Sequence, residues 1–192
     1  MVEKARYQVV RRVGKVEVRE YGPLVVARVR DRGNPAFYHL FRFISGDNRQ
    51  RSKVAMTAPV IQEREGGRRG PGGEEIPMTA PVIGNGDHMA FVMPEGYTLE
   101  STPEPLDPRV TIEELPARHL AVLRFSGRWT ESAFDRRSRQ LLEALEGAGI
   151  RPVGDVMSMV YNPPFTPPFL RRNEVAVEVL PPAGEDPGTA AP

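Results

Sequence analysis

Apolar and charged residues alternate along Val16-Glu-Val-Arg-Glu-Tyr21, and that period of two predicts a half-buried strand. A Gly22-Pro23 turn follows and Leu24–Arg30 continues extended, so the first predicted unit is a hairpin ending at Asp31-Arg-Gly-Asn34. The period then changes. Phe37, Leu40, Phe41 and Ile44 recur at helical spacing, predicting one buried face of a helix over about Pro35–Ser45. Asn34 suits its N-cap, Pro35 its first turn and Gly46 its end. Strands are expected next over Lys53–Gln62, Met78–Ile83 and His88–Met93. Pro59 confines the first of these to an edge or a bulge, because proline cannot donate to a ladder.

Beyond a Pro-rich connector, Thr98–Asp107, the same order of elements returns. Strands are predicted over Val110–Glu114 and His119–Phe125, separated by a Leu115-Pro116 break. A helix follows from the N-cap Thr130 to about Glu146, burying Phe134, Leu141, Leu142 and Leu145. Asp155–Tyr161 and Asn173–Leu180 close the pattern. The chain therefore reads as an α+β fold of two pseudo-equivalent ββαββ halves. Its helices would lie outside a strongly twisted, partly closed antiparallel sheet of about eight strands. Residues 1–180 form one expected domain, Glu63–Glu75 a flexible loop, and 181–192 a disordered tail without apolar anchors.

Inside this pattern Met-Thr-Ala-Pro-Val-Ile occurs twice, at Met56–Ile61 and Met78–Ile83. It is a local duplication within the first half and not the repeat that builds the fold. Methionine is unbranched and polarizable, so the doubled segment suits either a core strand or the wall of an irregular apolar pocket.

Composition narrows the chemistry. The chain has no cysteine, which excludes disulfides, thiolate metal sites and cysteine catalysis. A formal net charge of +1 gives no reason to expect nucleic acid. No apolar stretch approaches the roughly 20 residues of a membrane span, and the start has no secretory pattern, so a cytoplasmic location is the expectation; a monomer is favoured, with no pattern that fixes the oligomeric state. Only Lys4, Lys15 and Lys53 are lysines, and the other basic residues are arginines, whose forked guanidinium pairs well with carboxylates.

The histidines have no metal-ligand spacing, and His39 falls off the apolar helical stripe, where it reads as solvated or peripheral. Neither a nucleophile elbow nor a phosphate-binding glycine loop is present, so nothing compels an enzyme. Met56, Met78, Met89, Met93, Met157 and Met159 all fall on predicted strands or their ends, as core filling or as an adaptable apolar groove. Met157, Met159 and Tyr161 share one face by the period of two. The segment from Tyr161 to Glu174 reads either as a long ordered crossover or as a pocket rim. In the second reading its rings stack on a ligand and Arg171 and Arg172 meet anionic groups.

Six segments then carry a resemblance: Val18-Arg-Glu-Tyr-Gly-Pro23, Lys53-Val-Ala-Met-Thr-Ala-Pro-Val60, Phe91-Val-Met-Pro94, Phe125-Ser-Gly127, Tyr161-Asn-Pro-Pro164 and Arg172-Asn-Glu-Val175. In this order they resemble bacterial members of the SOUL haem-binding protein family, over about residues 6–180. The resemblance implies a distorted barrel-like sheet with two main helices, related to gyrase-inhibitor-like proteins and to effector domains of drug-responsive regulators. It also implies non-covalent binding of haem or another tetrapyrrole in an apolar groove, for buffering or transport, without catalysis. That groove would involve the first helix, with Phe37, Leu40 and Phe41, and the Met-Thr-x-Pro-Val segment. Met56 is its best candidate, Lys53 lies beside it for a propionate, and Met78 is the alternative copy. Some members carry a histidine just before the Tyr-Gly pair as a proposed iron ligand. Glu20 stands there here, so the axial ligand is unassigned. A drug- or effector-binding domain is the alternative function, and an enzyme acting on a hydrophobic or tetrapyrrole substrate is a third.

Overall fold

The computed structural model describes residues 3–31, 33–49, 54, 57–63, 88–162 and 166–181. Lys53, Met56, Met78–Ile83, the Gly/Arg-rich loop after Glu63 and the tail beyond 181 lie outside that set.

Among the described residues ten strands form the sheet: β1 (Glu3–Lys4), β2 (Gln8–Val13), β3 (Val16–Tyr21), β4 (Leu24–Val29), β5 (Thr57–Glu63), β6 (His88–Val92), β7 (Val110–Leu115), β8 (Arg118–Phe125), β9 (Met157–Val160) and β10 (Asn173–Val179). Helix α1 (Gly33–Ile44) follows β4 and helix α2 (Glu131–Gly147) follows β8. The sheet runs β2-β3-β8-β10-β9-β5-β6-β4-β7, with β1 added in parallel beside the start of β5 and every other ladder antiparallel.

This order is symmetric about the β9–β5 contact. The run β8-β10-β9 mirrors β4-β6-β5, so the two halves expected from the sequence meet in the middle of one sheet. Their first strands are exchanged. β3 pairs with β8 and β7 pairs with β4, so Val16–Arg30 is no hairpin. The links Gly22-Pro23 and Pro116-Ala117 carry prolines that hold the preceding residue extended and donate no N–H, and the chain passes straight on into the other half. The hairpin lies one step earlier, between β2 and β3, where Gly14 takes a φ of 56°.

The barrel-like closure expected from the sequence does not occur. β2 and β7 end the sheet and are not paired with each other. Arg11 and Arg12 on β2, and Glu113 and Glu114 on β7, place charge along these edges, which disfavours further pairing. Pro59 lies where the β5–β6 register shifts between Thr57 and Val60, a bulge in an interior strand.

Alternation divides the sheet into two faces. On one, α2 covers Val16, Val18, Ala121, Leu123, Val175 and Val177, with Trp129 packed between Phe125 and Phe134. On the same face α1 covers Val25, Ala27, Val29, Met89, Phe91 and Met93. The other face carries Tyr21, Val26, Ile61, Val92, Leu120, Val122, Met157, Met159, Tyr161 and Ala176 in one cluster spanning β3 to β4. Among the described residues no helix covers this cluster, and a twisted sheet curls its inner face upon itself.

α2 starts at its expected cap, whereas α1 begins at Gly33, so Asn34, expected as the N-cap, lies inside the helix. Thr130 Oγ1 accepts from the Ala133 N–H at 3.1 Å, and Gly46 leaves α1 with a φ of 113°. The buried stripes differ in detail. α1 buries Ala36, Leu40, Phe43 and Ile44, so Phe41 turns outward at 46% exposure, and on α2 Leu142 is exposed. His39, expected at the periphery, is buried with Nδ1 2.9 Å from Asp107 Oδ2. No helix among the described residues is long and apolar enough to cross a membrane.

Candidate functional site

Towards the β2–β3–β8 end the inner face changes from apolar to charged. Glu17, Arg19 and Tyr21 alternate on β3 with the core residues Val16 and Val18, so all three point inward. Glu174 alternates in the same way with Val175 on β10. Arg19 at 2% exposure and Glu174 at 0% are an ion pair enclosed by the sheet.

Glu174 is saturated with donors. Arg19 donates from Nη1 to Oε2 at 2.9 Å and from Nη2 to Oε1 at 3.2 Å, a bidentate fork. Arg172 reaches Oε1 from Nε at 2.9 Å and from Nη2 at 2.7 Å, and the Tyr161 hydroxyl donates to Oε2 at 2.6 Å. Arg19 also reaches Glu17 Oε2 from Nη2 at 2.7 Å, and Arg12 holds the other Glu17 oxygen at 3.1 Å. The guanidiniums stack as well, Arg19 over the Tyr7 ring at 4.3 Å and Arg172 over Tyr161 at 4.1 Å.

Burial alone would pull the Arg19 and Arg172 pKa values down. The bonds and charge of Glu174 outweigh it and hold both above the ordinary arginine value. Burial, followed by the adjacent Glu174 charge, pushes the Tyr161 phenol well above its usual value. These groups form a fixed ionic floor with Tyr161 protonated as a donor.

Above the floor opens a cleft of about 770 Å³. Its lining includes Arg12, Lys15, Arg19, Arg124, Arg171 and Arg172, six cations against Glu17 and the underlying Glu174. The 3-10 turn Pro168–Leu170 puts two apolar side chains at the edge, Phe169 at 74% exposure and Leu170 at 63%. Arg171 is anchored there by Nε donating to the Thr166 carbonyl at 2.7 Å, and the Arg172 N–H donates to Asn162 Oδ1 at 2.6 Å.

The residues nominated from sequence divide accordingly. Arg171, Arg172 and Tyr161 come together at the cleft or in its floor. Met157 and Met159 are packed in the inner-face cluster beside Tyr161, filling core. Phe37, Leu40 and Phe41 belong to α1 on the opposite face. Leu40 is fully buried there, while Phe37 and Phe41 stack at 5.9 Å with Phe41 outward. Tyr7, Lys15, Arg19, Arg124 and Glu174 were not nominated as site residues from the sequence, whereas Phe169 and Leu170 belong to the Tyr161–Glu174 segment whose rings were one reading of a pocket rim.

The architecture is a pseudo-duplicated α+β domain with both helices on one face and a cationic cleft on the other. The sequence matches the family described as SOUL heme-binding protein over residues 2–178, and the chain belongs to that family. Among solved structures, the C-terminal domain of EcmrR is similar over 91% of this chain and 98% of that one, at 9% identity and a TM-score of 0.55. In an EcmrR–DNA complex the match has 10% identity and a TM-score of 0.57, and covers 90% of this chain but 57% of that one. A hydrolase from Listeria innocua is similar over 93% of both chains, at 12% identity and a TM-score of 0.52. At these identities the likeness concerns the fold alone. Comparison with curated proteins gives no match.

Proposed function

We propose that this protein binds a tetrapyrrole dicarboxylate non-covalently in the cationic cleft, without catalysis, as a buffer or carrier. The family match over residues 2–178 supports the ligand class. The observation that carries the placement is the cleft itself: its volume lies within the roughly 300–1,000 Å³ of small-molecule sites, and exposed cations gather beside exposed Phe169 and Leu170.

The residues present fit such a group. Two carboxylates are recognised by Arg171, Arg124, Lys15 and Arg12 at the mouth, arginine offering two parallel donors to each. One face of the flat ring lies on Phe169 and Leu170, where each Å² of apolar area removed from water stabilises by about 25 cal/mol before the costs of association. Haem, when bound, would supply iron, but the recognition described here rests on the carboxylates and on ring area. Hemin and metal-free protoporphyrin IX therefore bind comparably through these groups. Protoporphyrin IX dimethyl ester, which keeps the ring and loses both charges, separates carboxylate recognition from simple apolar adsorption. Titration followed by absorbance should show micromolar binding of the diacid and at least about tenfold weaker binding of the diester. Equal binding of the two defeats the placement, and binding of neither defeats the tetrapyrrole reading.

An effector-binding domain is the second reading, supported by the fold likeness to the EcmrR C-terminal domain. Glu20 and Glu178, carboxylates that could pair with a cationic effector, do not line this cleft: Glu20 is exposed, and Glu178 is 3.9 Å from Arg118. Glu174 is buried but already shared by two arginines. Any effector taken here would be an anion.

A further inference from the structure

The cleft contains a phenol oxygen that no histidine pattern in the sequence would reveal. Among the described residues that line it there is no His, Cys or Met, the side chains that most often ligate haem iron. Of the other donors, Glu17 is held by Arg19 and Arg12, and Lys15 is an ammonium with no lone pair to offer at neutral pH. Ser126 is a neutral hydroxyl, a poor ligand for ferric iron. Tyr7 remains.

Its surroundings are those of a ligand. Tyr7 lines the cleft, half-buried between β1 and β2, with its ring packed at 5.3 Å on Tyr21. Arg172 Nη2 donates to its oxygen at 3.3 Å, and the Arg19 guanidinium lies over its ring at 4.3 Å. One donor on the phenol oxygen leaves it a further lone pair, and the two adjacent cations stabilise the negative charge that a coordinating phenolate carries. Both cations are themselves fixed by Glu174, so the arrangement exists before any ligand arrives. Tyrosine ligation of haem iron is an established chemical option.

We propose that Tyr7 is the axial ligand to ferric iron when the cleft holds haem, its phenol proton passing to solvent as the oxygen coordinates. This rests on the tetrapyrrole reading above and adds to it a preference for ferric haem over metal-free porphyrin.

The test compares hemin with protoporphyrin IX on the full chain, for the wild type, Tyr7→Phe and Tyr7→His, with folding verified by circular dichroism. Wild-type protein with hemin should show the resonance Raman modes of an iron-bound phenolate. Tyr7→Phe should lose those modes and bind hemin about tenfold or more weakly, while its protoporphyrin IX affinity stays within about twofold. Tyr7→His should restore hemin affinity with an imidazole-type spectrum. Coincident hemin spectra for wild type and Tyr7→Phe overturn the assignment, as does equal weakening of both porphyrins. If wild-type protein binds protoporphyrin IX and hemin without a phenolate signature, the ligand assignment falls and the tetrapyrrole reading stands. Binding of neither overturns both.

Discussion

At the scale of single residues, the inner face is governed by one carboxylate. Glu174 has no exposed surface and is bonded to Arg19 and Arg172 at once. Removing one partner of such a group leaves uncompensated charge in a low-dielectric site. Glu174→Ala should therefore lower unfolding stability by about 3–5 kcal/mol in a denaturant titration. Phe41→Ala, on the outward side of α1, should change it by only about 0.5 kcal/mol or less, whereas Leu40→Ala, fully buried one position earlier, should cost about 2–5 kcal/mol. Asp107 supplies the pH dependence. Hydrogen bonds from Arg109, followed by the Arg109 and His39 charges, hold its carboxyl down at about 2. A depressed carboxyl stabilises the fold above its unfolded value near 3.8 and loses that contribution as pH falls through about 2. Asp107→Asn should thus be less stable than wild type at neutral pH, with the difference closing between about pH 4 and pH 2 in thermal melts. A difference that persists at pH 2 would contradict this account. None of these charged positions is distinctive in the sequence. Val-Glu-Val-Arg-Glu-Tyr reads as a strand with a solvated polar side, and only the curl of the sheet shows that Glu17 and Arg19 face an interior.

At the scale of elements, periodicity located most of the structure. Both helices, the N-cap Thr130 and eight of the strands were legible because each is local: a change of period, a capping side chain, a glycine or proline at the end. The failures have physical reasons. β2 was missed because Gln8-Val-Val-Arg-Arg-Val13 does not alternate, and its pairing with β3 carries a register shift between Val9 and Arg11. The hairpin assigned to β3 and β4 was wrong because a turn sequence shows that a chain can bend, not which strand it will meet. α1 is rotated by about one residue from its expected stripe, since Phe43 fits the core beneath it and Phe41 does not. The 3-10 turn at Pro168–Leu170 was not read as a turn but only as part of a proline-rich crossover or pocket rim, and it presents Phe169 and Leu170 to the cleft.

At the scale of the whole molecule, the near-duplication of two halves produces one sheet with two unlike ends on its inner face. Around the β9–β5 centre that face is packed core. Towards β2, β3 and β8 it opens into a cleft whose charge comes from residues in distant parts of the chain, Arg19, Arg124 and Arg172. Arg171 and Arg172 could be nominated from sequence because they follow a rigid aromatic and proline-rich segment. Their cationic neighbours Lys15 and Arg124 could not, because strand exchange between the halves brings them together. The central claim is that this cleft takes a dianionic tetrapyrrole. The double variant Lys15→Glu/Arg124→Glu tests it most directly, since both side chains are exposed and neither belongs to the buried Glu174 network. With wild-type melting behaviour, the variant should bind protoporphyrin IX at least about tenfold more weakly than wild type at low salt, and the gap should narrow as salt rises. Equal affinity of variant and wild type across that salt range would contradict the account.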